Sequence, residues 1–144
     1  MSILLALAMA EAAMGSITVN IGNVRNARGN VMIDICPQKK FLDDTCAWHG
    51  EAPARAGTTV VTVQGVPAGE YAIQAFHDEN ANGEVDRAMF GIPREGVGFS
   101  RNARIDLSPP KWRDAYFVHQ GHAEVLRFDL RYFMGAKGPA PARR

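Results

Sequence analysis

The sequence predicts an all-β protein, a β-sandwich of about six to eight short strands. Apolar and polar residues alternate with period two in several runs, from Ile17, Val19 and Ile21 near the start to Leu126, Phe128 and Leu130 near the end. Glycine, proline and asparagine punctuate the chain between those runs, and no amphipathic helical period is found after residue 16. A chain of 144 residues, 47% hydrophobic and 22% charged, is large enough for one domain with its own core. Its net charge of +1 argues against a nucleic-acid binder.

The elements follow in order. Residues 1–15 read as a signal peptide or its remnant. Ile3 to Met14 is almost wholly apolar, too short to span a bilayer, and offers a small-x-small site at Ala8-Met9-Ala10. Met1 and Ser2 bring no basic residue, so an N-terminal helix packed on the domain is the alternative. Export would place the chain in the periplasm or outside the cell. In that oxidising setting Cys36 and Cys46, the only two cysteines, are expected to bond across PQKKFLDDT. The single domain is expected over 16–132, followed by a flexible tail over 133–144.

Ile17 to Ile21 is the first strand, Asn23 to Asn30 a turn, and Val31, Ile33 and Ile35 the second strand. Pro37 to Gly57 reads as irregular, with Phe41, Leu42 and Trp48 anchored on the sheet edge and a short helical turn near Lys39 to Asp44. Thr58 to Gln64 and Tyr71 to Phe76 look like an antiparallel hairpin around Gly65 to Gly69. Phe90 to Pro110 is a long ordered connection. Ala115 to His119 and His122 to Tyr132 read as a last strand pair around Gln120-Gly121.

At the end of the Tyr71 run the chain turns abruptly polar. Asp78, Asn80, Asn82, Gly83 and Asp86 fall in the order D-x-N-x-N-G-x-x-D, the opening of a Ca²⁺ loop to which Glu84 would lend its backbone carbonyl. Spacing by two lets short oxygen-bearing side chains converge, and glycine permits the turn between them. Met89 stands where the closing bidentate Glu of an EF-hand would be, so the site would be weak or would borrow Glu95 or Asp106. The alternative is a self-capped turn, because Asp and Asn bond their own backbone well. Both readings stand at this stage.

His77 invites a triad with Asp78 and Ser100, but no G-x-S-x-G elbow surrounds the serine. A structural role fits better, the His77 ring bonding across to the Gly91–Glu95 loop. His119 and His122, with His77 or His49, lack convergent zinc spacing. Arg87, Arg94, Arg101, Arg104 and Arg113 lie among acids and read as local ion pairs, or as a rim for a carboxylate or a glycan.

HDENANGEVD, then FGIPREGVGFS, then PPKWRDAYF together resemble the bacterial exported family catalogued as domain of unknown function 2141. His77, Asp78, Asn80, Asn82, Gly83 and Asp86 match its first segment; Gly91, Ile92, Pro93, Glu95, Gly96, Gly98, Phe99 and Ser100 match the second. Pro109, Pro110, Asp114, Ala115 and Phe117 match the third, with Trp112 at the usual Phe. Ala81 stands where Gly is frequent and Val97 where a large residue is. The resemblance covers about Ser16 to Tyr132. It implies an envelope location and a sandwich of the transthyretin-like or immunoglobulin-like kind, and almost nothing about activity. No catalytic set is evident. The expected function is therefore a non-enzymatic binding or accessory module whose partner is an envelope protein or a glycan, ahead of a purely structural envelope protein and a metal-assisted hydrolase.

Overall fold

Period-two alternation produces eight strands among the residues that the computed structural model describes, 13–43, 46–83, 93–106 and 108–141. They are β1 (Met14–Val24), β2 (Asn30–Cys36), β3 (Trp48–Pro53), β4 (Gly57–Pro67), β5 (Gly69–Asp78), β6 (Val97–Phe99), β7 (Phe117–His119) and β8 (Glu124–Asp129). A one-turn helix, α1, occupies Trp112–Ala115. Two sheets stack in a sandwich-like arrangement. One runs β4-β1-β8; the other runs β3-β2-β5, with β6 and β7 both on the far edge of β5. Every pairing is antiparallel except β1 with β8.

The alternation fixes which side chains meet between the sheets. Ile17, Val19 and Ile21 of β1, Val61 and Val63 of β4, and Phe128 of β8 face Val31, Ile33 and Ile35 of β2 and Tyr71, Ile73 and Ala75 of β5. All are buried, and each large aliphatic among them contributes roughly 1.5–3 kcal/mol by leaving water. A smaller apolar cluster of Ala72, Ala103 and Ala115, with Phe41, Phe99 and Trp112, covers part of the outer face of β5. Trp112 stacks on Tyr116 at 5.7 Å and meets Phe41 edge-on at the same distance. These rings shield the outside of β5 around Ala72. Phe76 and Gln74 lie further along the same outer face.

Three expectations need correction. β4 and β5 do not form a hairpin: β4 pairs with β1 and β5 with β2, so the chain crosses from one sheet to the other at Ala68. Both strands carry an apolar face, and stacking those faces across the sandwich buries more than side-by-side pairing would. β7 and β8 likewise lie in different sheets, β7 against β5 and β8 against β1. Pro37 to Gly57 is not irregular throughout, because β3 pairs along β2 from Asn30↔Pro53 to Ile35↔Trp48. Its period is muted by Gly50 on the inner face, where a Cβ would meet Val63 Cγ2 at 3.0 Å and Val61 Cγ1 at 3.2 Å. A β-former there would push the sheets apart.

Residues on both sides of the expected 16–132 bounds take part in the fold. Residues 1–12 of the expected leader lie outside the described residues, but Met14 and Gly15 pair with Pro67 and Val66 as the start of β1. Beyond residue 132 the chain is tied down before it becomes a tail. Arg25 Nη1 donates to the carbonyls of Met134 and Ala136 at 2.6 and 3.1 Å, and Asn23 Nδ2 donates to that of Lys137 at 2.8 Å. The two cysteines are bonded as expected, Cys36 to Cys46, with their Cα atoms 5.4 Å apart.

Candidate functional site

The polar stretch begins where β5 ends against the start of β2. Asn30 pairs with Asp78 and Val31 with His77. Just before them Gly29 has φ +66°, and a Cβ on it would lie 1.9 Å from the Asp78 carbonyl oxygen, so the backbone approach needs glycine.

His77 continues the inward face of β5 and is fully buried. Its Nε2–H donates to the Arg28 carbonyl at 2.7 Å, and its Nδ1 accepts the Tyr132 hydroxyl at 2.8 Å. That hydroxyl accepts in turn from the Arg25 backbone N–H at 3.0 Å. A neutral imidazole satisfies this chain, and burial accordingly lowers the His77 pKa despite the Arg28 carbonyl and the nearby carboxylates. Burial pushes the Tyr132 phenol up to about 12. The Arg25 guanidinium lies over the Tyr132 ring, 4.5 Å from its centroid, and its Nε donates to Glu79 at 3.0 Å. Burial alone would raise the Glu79 carboxyl, but hydrogen bonds from Arg25 and from Asn26 Nδ2 at 2.8 Å hold it below its ordinary value.

The expected ring contact from His77 to the Gly91–Glu95 loop is therefore replaced. Gly91 and Ile92 lie outside the described residues, and the ring turns to Tyr132 and Arg28. The His77 backbone makes the link instead, its N–H donating to Gly96 at 2.8 Å. Glu95, 4% exposed, adds a second tie by accepting the Glu79 N–H at 2.5 Å. Ser100 is apart from this group. It accepts the Ile73 N–H at 2.9 Å and donates to the Ala115 carbonyl at 2.5 Å, which pins the turn after β6 to β5 and α1.

Asp78 is 1% exposed and sits inside the turn that follows it. Its Oδ1 accepts the Asn82 N–H at 3.1 Å, its Oδ2 accepts the Gly83 N–H at 2.8 Å, and its carbonyl accepts the Ala81 N–H at 3.2 Å. Asn80 Oδ1 also accepts from Asn82, at 3.3 Å. Asp78, Asn80 and Asn82 are thus brought together; Glu84 and Asp86 lie outside the described residues. Among the described residues no three His, Cys, Asp or Glu side chains gather as a metal cluster. The histidines considered for zinc separate: His119 is buried between the Val66 carbonyl and the Glu124 carboxylate, while His49 bonds the Cys46 carbonyl. Of the arginines, Arg104 pairs with Asp106 at the surface, as a local ion pair should. Arg25 and Tyr132, which organise the site, carried no sequence signal, because both reach it from elsewhere in the chain.

No helix among the described residues is long and apolar enough to cross a membrane. No curated protein and no solved structure matches the chain. The polar turn at the end of β5, the Gly96–Ser100 segment bonded beside it and the strands on either side nevertheless fall within one family model, described as an uncharacterized protein conserved in bacteria. It matches residues 19–126, and the chain belongs to that family, domain of unknown function 2141.

Proposed function

We propose that this domain is an exported, non-catalytic binding or accessory module, of transthyretin-like or immunoglobulin-like kind, whose Asp78–Asp86 loop takes one Ca²⁺ ion. The observation that carries the metal is Asp78 itself. It is a buried carboxylate that pairs with no basic side chain among the described residues and meets only neutral N–H groups. A buried charge of that kind calls for a counter-charge. Each oxygen accepts one N–H and keeps a further lone pair for a cation. Asn80 and Asn82 stand beside it, and the Glu84 carbonyl and Asp86 would complete the shell. Export is supported by the disulfide, which belongs in an oxidising compartment. The non-catalytic reading is supported by His77 and Ser100, both buried and each bonded to groups other than the other.

The bonds from Asn82 and Gly83 to Asp78 also favour a second reading, a self-capped turn that needs no metal. Calorimetric titration and melting in several millimolar Ca²⁺ against EGTA separate the two. With Met89 in place of a closing Glu, the affinity expected is about 10⁻⁴–10⁻³ M. Tenfold excess over Kd then adds roughly 1–2 kcal/mol of stability. Asp78→Asn removes that increment, whatever it does to the metal-free melting temperature. No binding heat and identical melting in both buffers would leave the self-capped turn.

A further inference from the structure

The outer face of the five-stranded sheet holds a depression of about 310 Å³ that the reading above does not use. Its floor is apolar, Met32 of β2 and Phe76 of β5, which are cross-strand neighbours. Its rim is Asp34 of β2 with His49 and Glu51 of β3, and Gly83 of the Asp78 turn closes one end. Asp34 and His49 are directly opposed across the two strands, as are Met32 and Glu51.

The rim carries two carboxylates and an imidazole. Asp34 Oδ1 takes the Cys46 N–H at 3.3 Å, and its other oxygen meets no donor among the described residues. His49 Nδ1 donates to the Cys46 carbonyl at 3.2 Å, which fixes the ring at the rim. Glu51 adds a second carboxylate. Neither Asp34 nor Glu51 is in an ion pair among the described residues. Two carboxylates on one rim, over an aromatic and a thioether, call for a flat cation with several N–H donors and a hydrocarbon stem. The volume lies at the small end of ligand pockets, which suits one such group.

We infer that this depression binds a guanidinium on a short alkyl stem, its N–H donors on Asp34 and Glu51 and its stem over Met32 and Phe76. Burial raises the Asp34 carboxyl, only partly opposed by the Cys46 N–H and by His49, and a bound cation would relieve that penalty. The same chemistry is offered by an arginine side chain and by a free alkylguanidine. The inference deepens the binding-module reading by naming a ligand class, and it does not require the calcium ion.

The test is a backbone amide NMR titration of the full chain with n-butylguanidinium and with acetyl-Gly-Arg-Gly-amide, against n-butanol and butyrate. It is run in calcium and again in EGTA. Saturable shifts at residues 32–34, 49–51 and 76 are expected with the two guanidinium compounds only, weakened at least tenfold in Asp34→Asn or Glu51→Gln. Tighter binding of the peptide identifies a partner's arginine as the ligand; tighter binding of butylguanidinium identifies a small molecule. Shifts of equal size with butanol or butyrate, no saturable shift, or wild-type binding in both variants would overturn the inference. Loss of the guanidinium response beside an intact calcium effect on melting counts against this site alone, and the converse counts against the calcium reading alone.

Discussion

The two polar regions of the five-stranded sheet lie on opposite faces and are built in opposite ways. On the inner face, at the end of β5, the Arg25 N–H, the Tyr132 hydroxyl, the His77 ring and the Arg28 carbonyl pass one hydrogen bond to the next, and Arg25 neutralises Glu79. Donors and acceptors match there, and the His77 and Tyr132 side chains are buried. On the outer face the Asp34 and Glu51 carboxylates sit in no ion pair among the described residues. Matched polar groups hold a structure together, and unmatched ones recruit something from outside. The difference marks the inner cluster as support, and on the inference above the outer rim is where a cationic group gains most.

The largest expected effect falls on the outer region. Cys36→Ser with Cys46→Ser removes a bond closing a sequence separation of 10 and should cost about 2–3 kcal/mol in chemical denaturation. Because Cys46 positions Asp34 and His49 through its N–H and carbonyl, guanidinium binding should weaken as well. The amide spectrum around His77 should hold. If instead the His77 region changes and the rim does not, the two regions are not independent.

A pH series addresses the inner region. Burial holds folded His77 below its ordinary value of 6.5, so the unfolded chain takes the proton first. Stability should be full above about pH 6.5 and decline as the pH falls, by no more than about 1.4 kcal/mol per unit. Glu79, held below 4.5, adds loss in the same direction only below that value; Asp34, raised above 3.8, opposes both. In His77→Gln the decline between pH 6.5 and 4.5 should flatten. A slope that survives the substitution would assign it to another group.

The smallest effect expected is a gain. Asp34→Asn keeps an oxygen for the Cys46 N–H and removes a carboxylate whose charge is disfavoured by burial. The melting temperature at neutral pH should rise by about 1–2 °C, while guanidinium binding weakens as expected above. A fall in melting temperature would mean that the Asp34 charge stabilises the fold, and would erase the contrast between the two faces.

Much of this was legible in the residues, and the parts that were not share a cause. The first and second strands, the β5 run, the disulfide and the turn around Asp78 are local or strongly periodic, and the sequence reports such features directly. Pairing is not local. GVPAG, from Gly65 to Gly69, has the composition of a hairpin turn, yet β4 and β5, which meet there, stack across the core. β3 was hidden because Gly50 occupies an inward position that the opposing valines leave no room to fill. In the site, Asp78 announces itself, whereas Arg25 and Tyr132 reach His77 from 52 and 55 residues away only after folding. The outer rim gave least warning of all. Asp34, His49 and Glu51 are ordinary solvent-side positions of two strands until β2 and β3 are set in register.

The parallel pairing of β1 with β8 has a consequence for how the protein is made. Ile17 finds its neighbour at Glu124 and Gly22 finds its own at Asp129, so β1 waits for β8. Contacts of such long separation place folding in the slow range for domains of this size, about milliseconds to seconds. A nascent chain holds β1 with one edge unpaired until residue 129 emerges. During that interval the Ile17–Ile21 face is open to other chains, and the protein's most vulnerable moment precedes its native state.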